Sequence, residues 1–170
     1  AGDYKRELVQ CFEEVATGER FVVCVNHFKS KSGGDSTNNF YNETRVTEAQ
    51  YLLDFLSAEL QNNYYGDADI LILGDLNCGT MEEPVRLLEE YGYENMVSRY
   101  APTGYSYTFN DEVEYLDHAL ASATMAEQIT GIAPYHINAD EPYKLHYNYG
   151  DDTTMYRYSD HDPIIIGLTL

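Results

Sequence analysis

Residues 69–77 read DILILGDLN, and the rest of the chain is best interpreted outward from this stretch. Residues 70–73 form an unbroken apolar run that stops at Gly74, a pattern typical of a short strand buried on both faces. Asp75 and Asn77 follow at the carboxyl end of that strand, where open α/β sheets place their ligand sites. A carboxylate and an amide suit a hydrated cation or a phosphoryl oxygen, although local turn hydrogen bonds explain the same residues equally well.

The composition predicts one domain with a strongly acidic surface. A chain of 170 residues can bury a substantial core. Its formal net charge of −19 argues against a protein that holds nucleic acid through a broad basic patch. A phosphate substrate would therefore need a metal ion to offset the repulsion. No apolar run approaches the length of a membrane span, and residues 1–10 lack the apolar core of a signal peptide.

The chain is expected to open with a β-hairpin. Residues 7–14 and 21–28 are rich in β-forming residues and are joined by a short segment that contains Thr17 and Gly18. If those two residues form a two-residue turn, Cys11 lies directly opposite Cys24. That placement is compatible with a cross-strand disulfide and equally with two buried thiols.

Helices and strands alternate along the remainder of the chain, as in α/β proteins. Apolar residues recur at helical spacing through residues 47–61 and again through residues 81–91. A short helix and turn are expected at 126–132, and a long loop at 134–158. Further strands are predicted at residues 105–109, 113–122 and 164–170.

Polar residues interrupt the predicted strands in a way that suggests a shared site. His27 ends the second strand, and Asp160 and His161 precede the last one. Asp117 lies inside an otherwise apolar strand, where a carboxylate is costly unless a cation or donor meets it, so a histidine partner is expected. If these groups meet Asp75, they provide imidazoles and carboxylates for metal-assisted hydrolysis of a phosphodiester. Each residue, taken alone, is also compatible with an ordinary polar strand end.

Four segments in the order NHFKSK, GDLN, YLDHALAS and YRYSDHDPIIIG resemble the later motifs of the endonuclease/exonuclease/phosphatase superfamily. That superfamily includes pancreatic-type DNase and abasic-site endonucleases. The segments HINADEP, LHYNYG and YRYSDHDP are similar, more narrowly, to bacterial extracellular nucleases that are secreted or attached to the cell surface. The resemblance implies a metal-dependent phosphodiester hydrolase with an extracellular or cell-surface location and nucleic acid as its substrate.

The resemblance also implies catalytic roles for five residues. His27 would stabilise the transition state at the scissile phosphate. Asp75 would position or deprotonate the attacking water, while Asn77 would hold a phosphate oxygen. Asp117 would orient His161, which would be the second essential imidazole.

The same resemblance implies a metal ligand and several substrate contacts. Asp160 would bind Mg²⁺, or Mn²⁺ or Ca²⁺ in its place. The implied substrate contacts are Asn26, Lys29, Arg157 and Tyr158.

The complete fold of that superfamily is a four-layer α/β/β/α sandwich of two similar halves, and residues 1–170 resemble the C-terminal half. We therefore expect an α/β fold with a mixed, mainly antiparallel sheet and helices on one face. Family members carry a metal-binding Glu and an Asn in the earlier half, so this chain is expected to have weak activity or none. The other sheet face should be apolar and open to homodimer formation.

Two other interpretations remain open. A related phosphoesterase, such as a sphingomyelinase or an inositol-phosphate phosphatase, fits the acidic composition no worse. A non-catalytic module that binds a partner on the same fold is the third possibility.

Overall fold

The computed structural model describes residues 8–61, 68–142 and 157–170. Within these ranges the strands are β1 (Leu8–Glu13), β2 (Arg20–His27), β3 (Ile70–Asp75), β4 (Glu94–Asn95), β5 (Tyr107–Phe109), β6 (Glu112–Glu114), β7 (Asp117–Ala121), β8 (Ile129–Pro134) and β9 (Ile164–Leu168). The helices are α1 (Asn42–Gln61), α2 (Glu83–Glu90), α3 (Met96–Tyr100) and α4 (Ala123–Gln128). The predicted α/β class is confirmed.

Five strands form the main sheet in the order β1-β2-β3-β7-β4. The β2/β3 pair is parallel and the other pairs are antiparallel, so the sheet is mixed and mainly antiparallel, as predicted. His27 lies beside Asp75, and Asp75 lies beside Asp117. The register therefore places three of the predicted site residues in one row at one edge of the sheet.

One face of this sheet packs against α1 and α2. Alternation along a strand sends every second side chain to this face, and helical spacing aligns the apolar stripe of α1 with it. A leucine buried fully here contributes about 2 kcal/mol by leaving water. The cluster includes Val22, Cys24, Leu52, Leu56, Ile70, Ile72, Leu76, Val85, Leu88 and Leu120.

The opposite face is covered over part of its width. Above β3 and β7, Leu71, Ala119 and Ala121 pack with residues of α3, α4 and the β8/β9 pair. Above β1 and β2 the described residues leave the face open, and Leu8 and Val25 are 66% and 44% exposed. The predicted uncovered apolar face is thus restricted to the first hairpin, because short helices and a second small sheet cover the rest.

The register of the first hairpin differs from the prediction. Cys11 lies opposite Val22, and Cys24 lies opposite Val9. The chain reverses over a wider turn, in which the Glu14 amide donates to the Glu19 carbonyl at 2.8 Å, and this shifts the pairing by two residues. The predicted opposition of the two cysteines is wrong, and neither of them forms a disulfide.

The predicted strand at 113–122 is also wrong, because the chain divides it between two sheets. β6 pairs only with β5 among the described residues, whereas β7 joins the main sheet. The amides of Leu116 and Asp117 donate to Ser106 Oγ at 3.2 and 3.1 Å and hold the bend between β6 and β7. Asp117 therefore begins a strand rather than interrupting one.

Three other boundaries differ from the predictions. α1 begins at residue 42 rather than 47, and the expected helix and turn at 126–132 is divided between α4 and β8. β9 pairs with β8 in a two-stranded sheet, and its Ile165 is 56% exposed, so it is not a buried strand of the main sheet. Much of the predicted loop at 134–158 lies outside the described residues. None of the described helices is long and apolar enough to cross a membrane.

Candidate active site

The site lies at the edge of the main sheet where β2 and β3 end and β7 begins. β2 and β3 are parallel, so their carboxyl ends coincide, and antiparallel β7 brings its first residue to the same place. The side chains of Asp75 and Asp117 are 18% and 17% exposed. Two carboxylates on adjacent strands therefore face a partly enclosed space.

His161 reaches this edge from the loop before β9. Its Nδ1 lies 2.7 Å from Asp117 Oδ2, and because a carboxylate can only accept, Nδ1 donates. Its Nε2 lies 4.0 Å from Asp75 Oδ2. On the other side, His27 Nε2 lies 3.4 Å from the same Asp75 oxygen. Asp75 is thus placed between two imidazoles, one of which is oriented by a second carboxylate.

The turn after β3 holds the Asp75 carboxylate in place. The backbone amide of Asn77 donates to Asp75 Oδ1 at 2.8 Å, and Asn77 Nδ2 donates to Asp75 Oδ2 at 2.9 Å. Gly74 has a φ of +121°, and a Cβ at this position would lie 2.0 Å from the carbonyl oxygen of Asn26. Only glycine fits this close approach of β3 to β2, which explains why the GDLN turn begins with it.

The charges of the site are strongly coupled. Burial raises the pKa of Asp75 above its usual range; His161 and His27 oppose this, and the Asp117 carboxylate adds to it. Burial by itself would disfavour the charged imidazole of His161, but its hydrogen bond to Asp117 and the nearby carboxylates raise its pKa overall. His161 and Asp75 therefore each hold a proton more tightly than they would in water.

These side chains line a cleft of about 980 Å³. One wall is the serine- and glycine-containing loop at residues 30–34, and the opposite wall is the β5/β6 hairpin with Tyr107 and Phe109. The Tyr107 ring packs on the His161 ring with centroids 4.6 Å apart. Six predicted site residues line this cleft together: His27, Asp75, Asn77, Asp117, Asp160 and His161.

Comparison with known proteins identifies this fold. A mannosyl-6-phosphatase from Bacteroides thetaiotaomicron superposes with a TM-score of 0.63 and 16% identity over 96% of this chain. An AP endonuclease from Archaeoglobus fulgidus gives a TM-score of 0.61 and 12% identity over 88% of it. An endonuclease/exonuclease/phosphatase family protein from Bacteroides thetaiotaomicron gives 0.59 and 18% over 92%. The chain has the endonuclease/exonuclease/phosphatase fold.

This chain spans 57%, 62% and 52% of the lengths of those three proteins. No family model matches the sequence, and no curated protein does. At these identities the likeness establishes the endonuclease/exonuclease/phosphatase fold. The chemistry of this chain depends on its own side chains.

The structure places four predicted substrate contacts outside the cleft. Asn26 is buried under the sheet edge, where its amide donates to the Cys24 carbonyl at 3.0 Å. The Lys29 ammonium lies 4.5 Å from the centre of a tyrosine ring on the next loop. Arg157 is buried and donates to a backbone carbonyl, while Tyr158 is exposed next to the cleft without lining it.

The cleft contains a lysine that was not predicted. Lys31 Nζ lies 2.8 Å from Glu82 Oε1 and 3.3 Å from Glu114 Oε1, and the Glu114 contact links the loop at residues 30–34 to the β5/β6 hairpin across the cleft. Burial opposes its charge, but the Glu82 and Glu114 carboxylates raise the pKa of Lys31 overall. The NHFKSK segment contains both Lys29 and Lys31, and its sequence carries no signal for which one faces the cleft.

The carboxylates and imidazole of this endonuclease/exonuclease/phosphatase fold could hold a cation. One ligand atom each from Asp75, Asp117 and His161 lie within 4.8 Å of one another. Carboxylate oxygens are the ligands that Mg²⁺, Mn²⁺ and Ca²⁺ prefer, so Asp75 and Asp117 fit a divalent cation of this class, whereas His161 could join them only as a neutral imidazole. Asp160 lines the same cleft but is outside this group. Its role as a metal ligand stays a prediction.

Proposed function

We propose that this chain carries the phosphate-cleaving site of a metal-dependent phosphodiester hydrolase, most specifically a bacterial extracellular nuclease. The observation that carries the proposal is the row His27, Asp75, His161 and Asp117, in which a carboxylate lies between two imidazoles and one imidazole is held by a second carboxylate. This arrangement supplies a group that accepts a proton from water and imidazole donors that stabilise a phosphorane-like transition state.

Asp75 is the group best placed to orient and deprotonate the attacking water. Its Oδ2 faces both imidazoles, and its other oxygen is fixed by the Asn77 amide. Proton uptake by Asp75 is favoured because burial raises its pKa. In its protonated form His161, which Asp117 orients, would then donate to a phosphoryl oxygen as negative charge develops there.

The structure changes the role proposed for Asn77. Its Nδ2 donates to Asp75 Oδ2 at 2.9 Å and to the Phe28 carbonyl at 3.1 Å, which uses both hydrogens of the amide. A bond from Nδ2 to a phosphate oxygen would need one of these contacts to break. In this conformation Asn77 orients Asp75 instead.

A divalent cation bound at the carboxylates would supply Lewis-acid stabilisation of phosphate charge. It would also offset the net charge of −19, which otherwise repels a polyanionic substrate. Among the described residues that line the cleft, Lys31 is the one lysine or arginine. The cleft is therefore suited to one phosphate group rather than to a long stretch of nucleic-acid backbone.

A cleft suited to one phosphate group also fits a second class of enzyme, one that acts on small phosphoesters. One structural neighbour is a sugar phosphatase and another is an endonuclease, so the fold accommodates both types of substrate. A sphingomyelinase-like or inositol-phosphate phosphatase-like activity uses the same central chemistry. A non-catalytic binding module is the alternative if no phosphoester is cleaved.

Hydrolysis assays separate these possibilities. The chain, and the longest native form that contains it, should be tested on DNA, RNA, sphingomyelin and a phosphoinositide with Mg²⁺, Mn²⁺ or Ca²⁺. We expect metal-dependent cleavage of nucleic acid that Asp75→Asn abolishes. Asp54→Asn, an exposed acid on α1, is the matched control and should leave the rate unchanged. Preference for a lipid or inositol phosphate would shift the assignment, and inactivity of the longest form on every substrate would favour the binding module.

We also propose that the open apolar face of the first hairpin pairs with a second copy of the chain. Leu8, Phe12 and Val25 are exposed there, and the Phe12 and Phe21 rings stack 5.7 Å apart. The strong negative charge of each copy opposes association, so dimers should increase with salt. Light scattering at several salt concentrations tests this, with Phe12→Ser as the variant expected to stay monomeric. A wild-type chain that stays monomeric at high salt would contradict it.

A further inference from the structure

The loop that presents His161 is held by a segment with no assigned role. Residues 136–140, called here the HINAD segment, follow β8 and pack along residues 157–162. None of the HINAD residues lines the cleft. Its contacts with the His161 loop nevertheless include backbone and side-chain hydrogen bonds, several of them buried.

Asn138 makes the most complete set of these contacts. Its Nδ2 donates to the His161 carbonyl at 2.7 Å, and its Oδ1 accepts from the Tyr158 amide at 3.1 Å. Its backbone amide donates to Asp162 Oδ1 at 2.9 Å, and its carbonyl accepts from Arg157 Nη1 at 2.7 Å. Asn138 is 5% exposed. Each of its four polar groups thus makes a hydrogen bond to the loop that carries His161.

Asp162 anchors the HINAD segment from the other side. Its side chain is fully buried and accepts from His136 Nδ1 at 2.7 Å and from the amides of Asn138 and Ala139 at 2.9 Å each. A buried carboxylate is tolerated when such donors replace water, so this contact sets one geometry between the two segments.

The peptide groups on both sides of the His161 side chain are consequently fixed. The His161 amide donates to Ser159 Oγ at 3.1 Å, and its carbonyl accepts from Asn138. A loop backbone held on both sides of His161 restricts where the imidazole can lie. This restriction keeps the distance between His161 Nδ1 and Asp117 Oδ2 short. The Asn138 side chain reaches both segments, because an amide can donate to a carbonyl through Nδ2 and accept from an N–H through Oδ1 at the same time.

We propose that Asn138 is a positioning residue that holds the main chain at His161, so that the imidazole stays aligned with Asp117 and Asp75. It touches neither the cleft nor a reacting group. The kinetic consequence rests on the function proposed above, whereas the structural consequence does not.

The decisive test reads the His161–Asp117 hydrogen bond directly. In a sample labelled with ¹⁵N-histidine, the ring N–H of His161 is identified among the five histidines as the signal lost in His161→Asn. In Asn138→Ala we expect this proton to exchange with water at least about tenfold faster than in the wild type, since two hydrogen bonds that hold the loop are lost. Where the protein is active, kcat should fall by up to about a hundredfold with little change in KM.

Asn95→Ala is the matched control. Asn95 is also a buried asparagine, and its Oδ1 accepts from the Ser98 amide at the start of α3, away from the cleft. It should lower stability without changing the His161 signal. If Asn138→Ala does not fold, Asn138→Ser is measured instead. A folded Asn138 variant with wild-type exchange, or an equal change in Asn95→Ala, would overturn the proposal. Because the signal needs no substrate, this outcome is independent of whether the chain is active.

Discussion

Two histidine–aspartate pairs each include one residue of the segment 160–162, and they have the same contact distance but different surroundings. His161 Nδ1 and His136 Nδ1 each lie 2.7 Å from a carboxylate oxygen, of Asp117 and Asp162 respectively. The Asp162 side chain is fully buried and also accepts two backbone amides, whereas Asp117 is partly exposed in the cleft.

The difference shows what makes such a pair chemically useful. In the His136 pair the carboxylate is largely used to hold the HINAD segment, and the imidazole completes its hydrogen bonding. In the His161 pair the far nitrogen of the ring faces a second carboxylate, Asp75, across a cleft that can admit a substrate. The short contact is therefore equal in both pairs, and the surroundings distinguish a structural pair from a candidate catalytic one.

The largest expected difference between the pairs is in hydrolysis. His161→Asn removes an imidazole that faces Asp75, and loss of one general acid or base lowers a rate about 10²–10⁴-fold. His136→Asn leaves the cleft residues in place, so its loss of kcat should be at least about tenfold smaller. Steady-state kinetics on the substrate that the wild type cleaves provides the measurement. Equal losses in the two variants would remove the distinction.

For stability the expectation is the opposite, because the His136–Asp162 pair should contribute more to the free energy of unfolding than the His161–Asp117 pair. Asp162→Asn removes the charge from a buried carboxylate with three donors and should lower the free energy of unfolding by about 3 kcal/mol. Asp117→Asn, in the cleft, should lower it by less than about 1 kcal/mol because water can replace part of the lost interaction. Urea unfolding at neutral pH measures both. A larger loss for Asp117→Asn would mean that the cleft pair is the structural one.

A smaller effect on substrate binding is expected when the cleft lysine of the NHFKSK segment is replaced. Lys31→Met removes the ammonium that lines the cleft and should raise KM about tenfold, the value of one charged hydrogen bond to phosphate. Lys29→Met is the matched control, since Lys29 lies over the Tyr41 ring outside the cleft. An increase in KM for Lys29→Met alone would show that substrate approaches along a different surface.

The smallest effect is a pH dependence of stability specific to His161. Its pKa is raised in the folded chain, so the folded state binds this proton more tightly than the unfolded state does. The stabilisation is fully present below the ordinary histidine pKa of about 6.5 and is lost as the pH rises through the raised value. Unfolding of the wild type and of His161→Asn is compared in the presence of a chelator. A difference that stays constant from about pH 5 to about pH 9 would contradict the expectation.

Local pattern was sufficient for the centre of the site. An apolar strand that ends in GDLN, and polar residues in or next to other strands, pointed to six of the residues that line the cleft. Local pattern gave no signal for Asn138, and the substrate contact of Arg157 was implied only by the resemblance. The described hydrogen bonds of both side chains include bonds to backbone carbonyls of a distant segment. The spacing of charged residues carries no information about such contacts.

The sequence by itself determined the mixed α/β class, the strand that ends at Asp75 and the chemical character of the site, because these follow from hydrophobic periodicity and from residue type. Only the tertiary structure decided which lysine enters the cleft, which residues lie opposite Cys11 and Cys24 in the first hairpin, and where β9 joins a sheet. These depend on turn geometry and on packing between segments far apart in the chain. There, differences of a few hydrogen bonds select one arrangement among several that the local sequence permits.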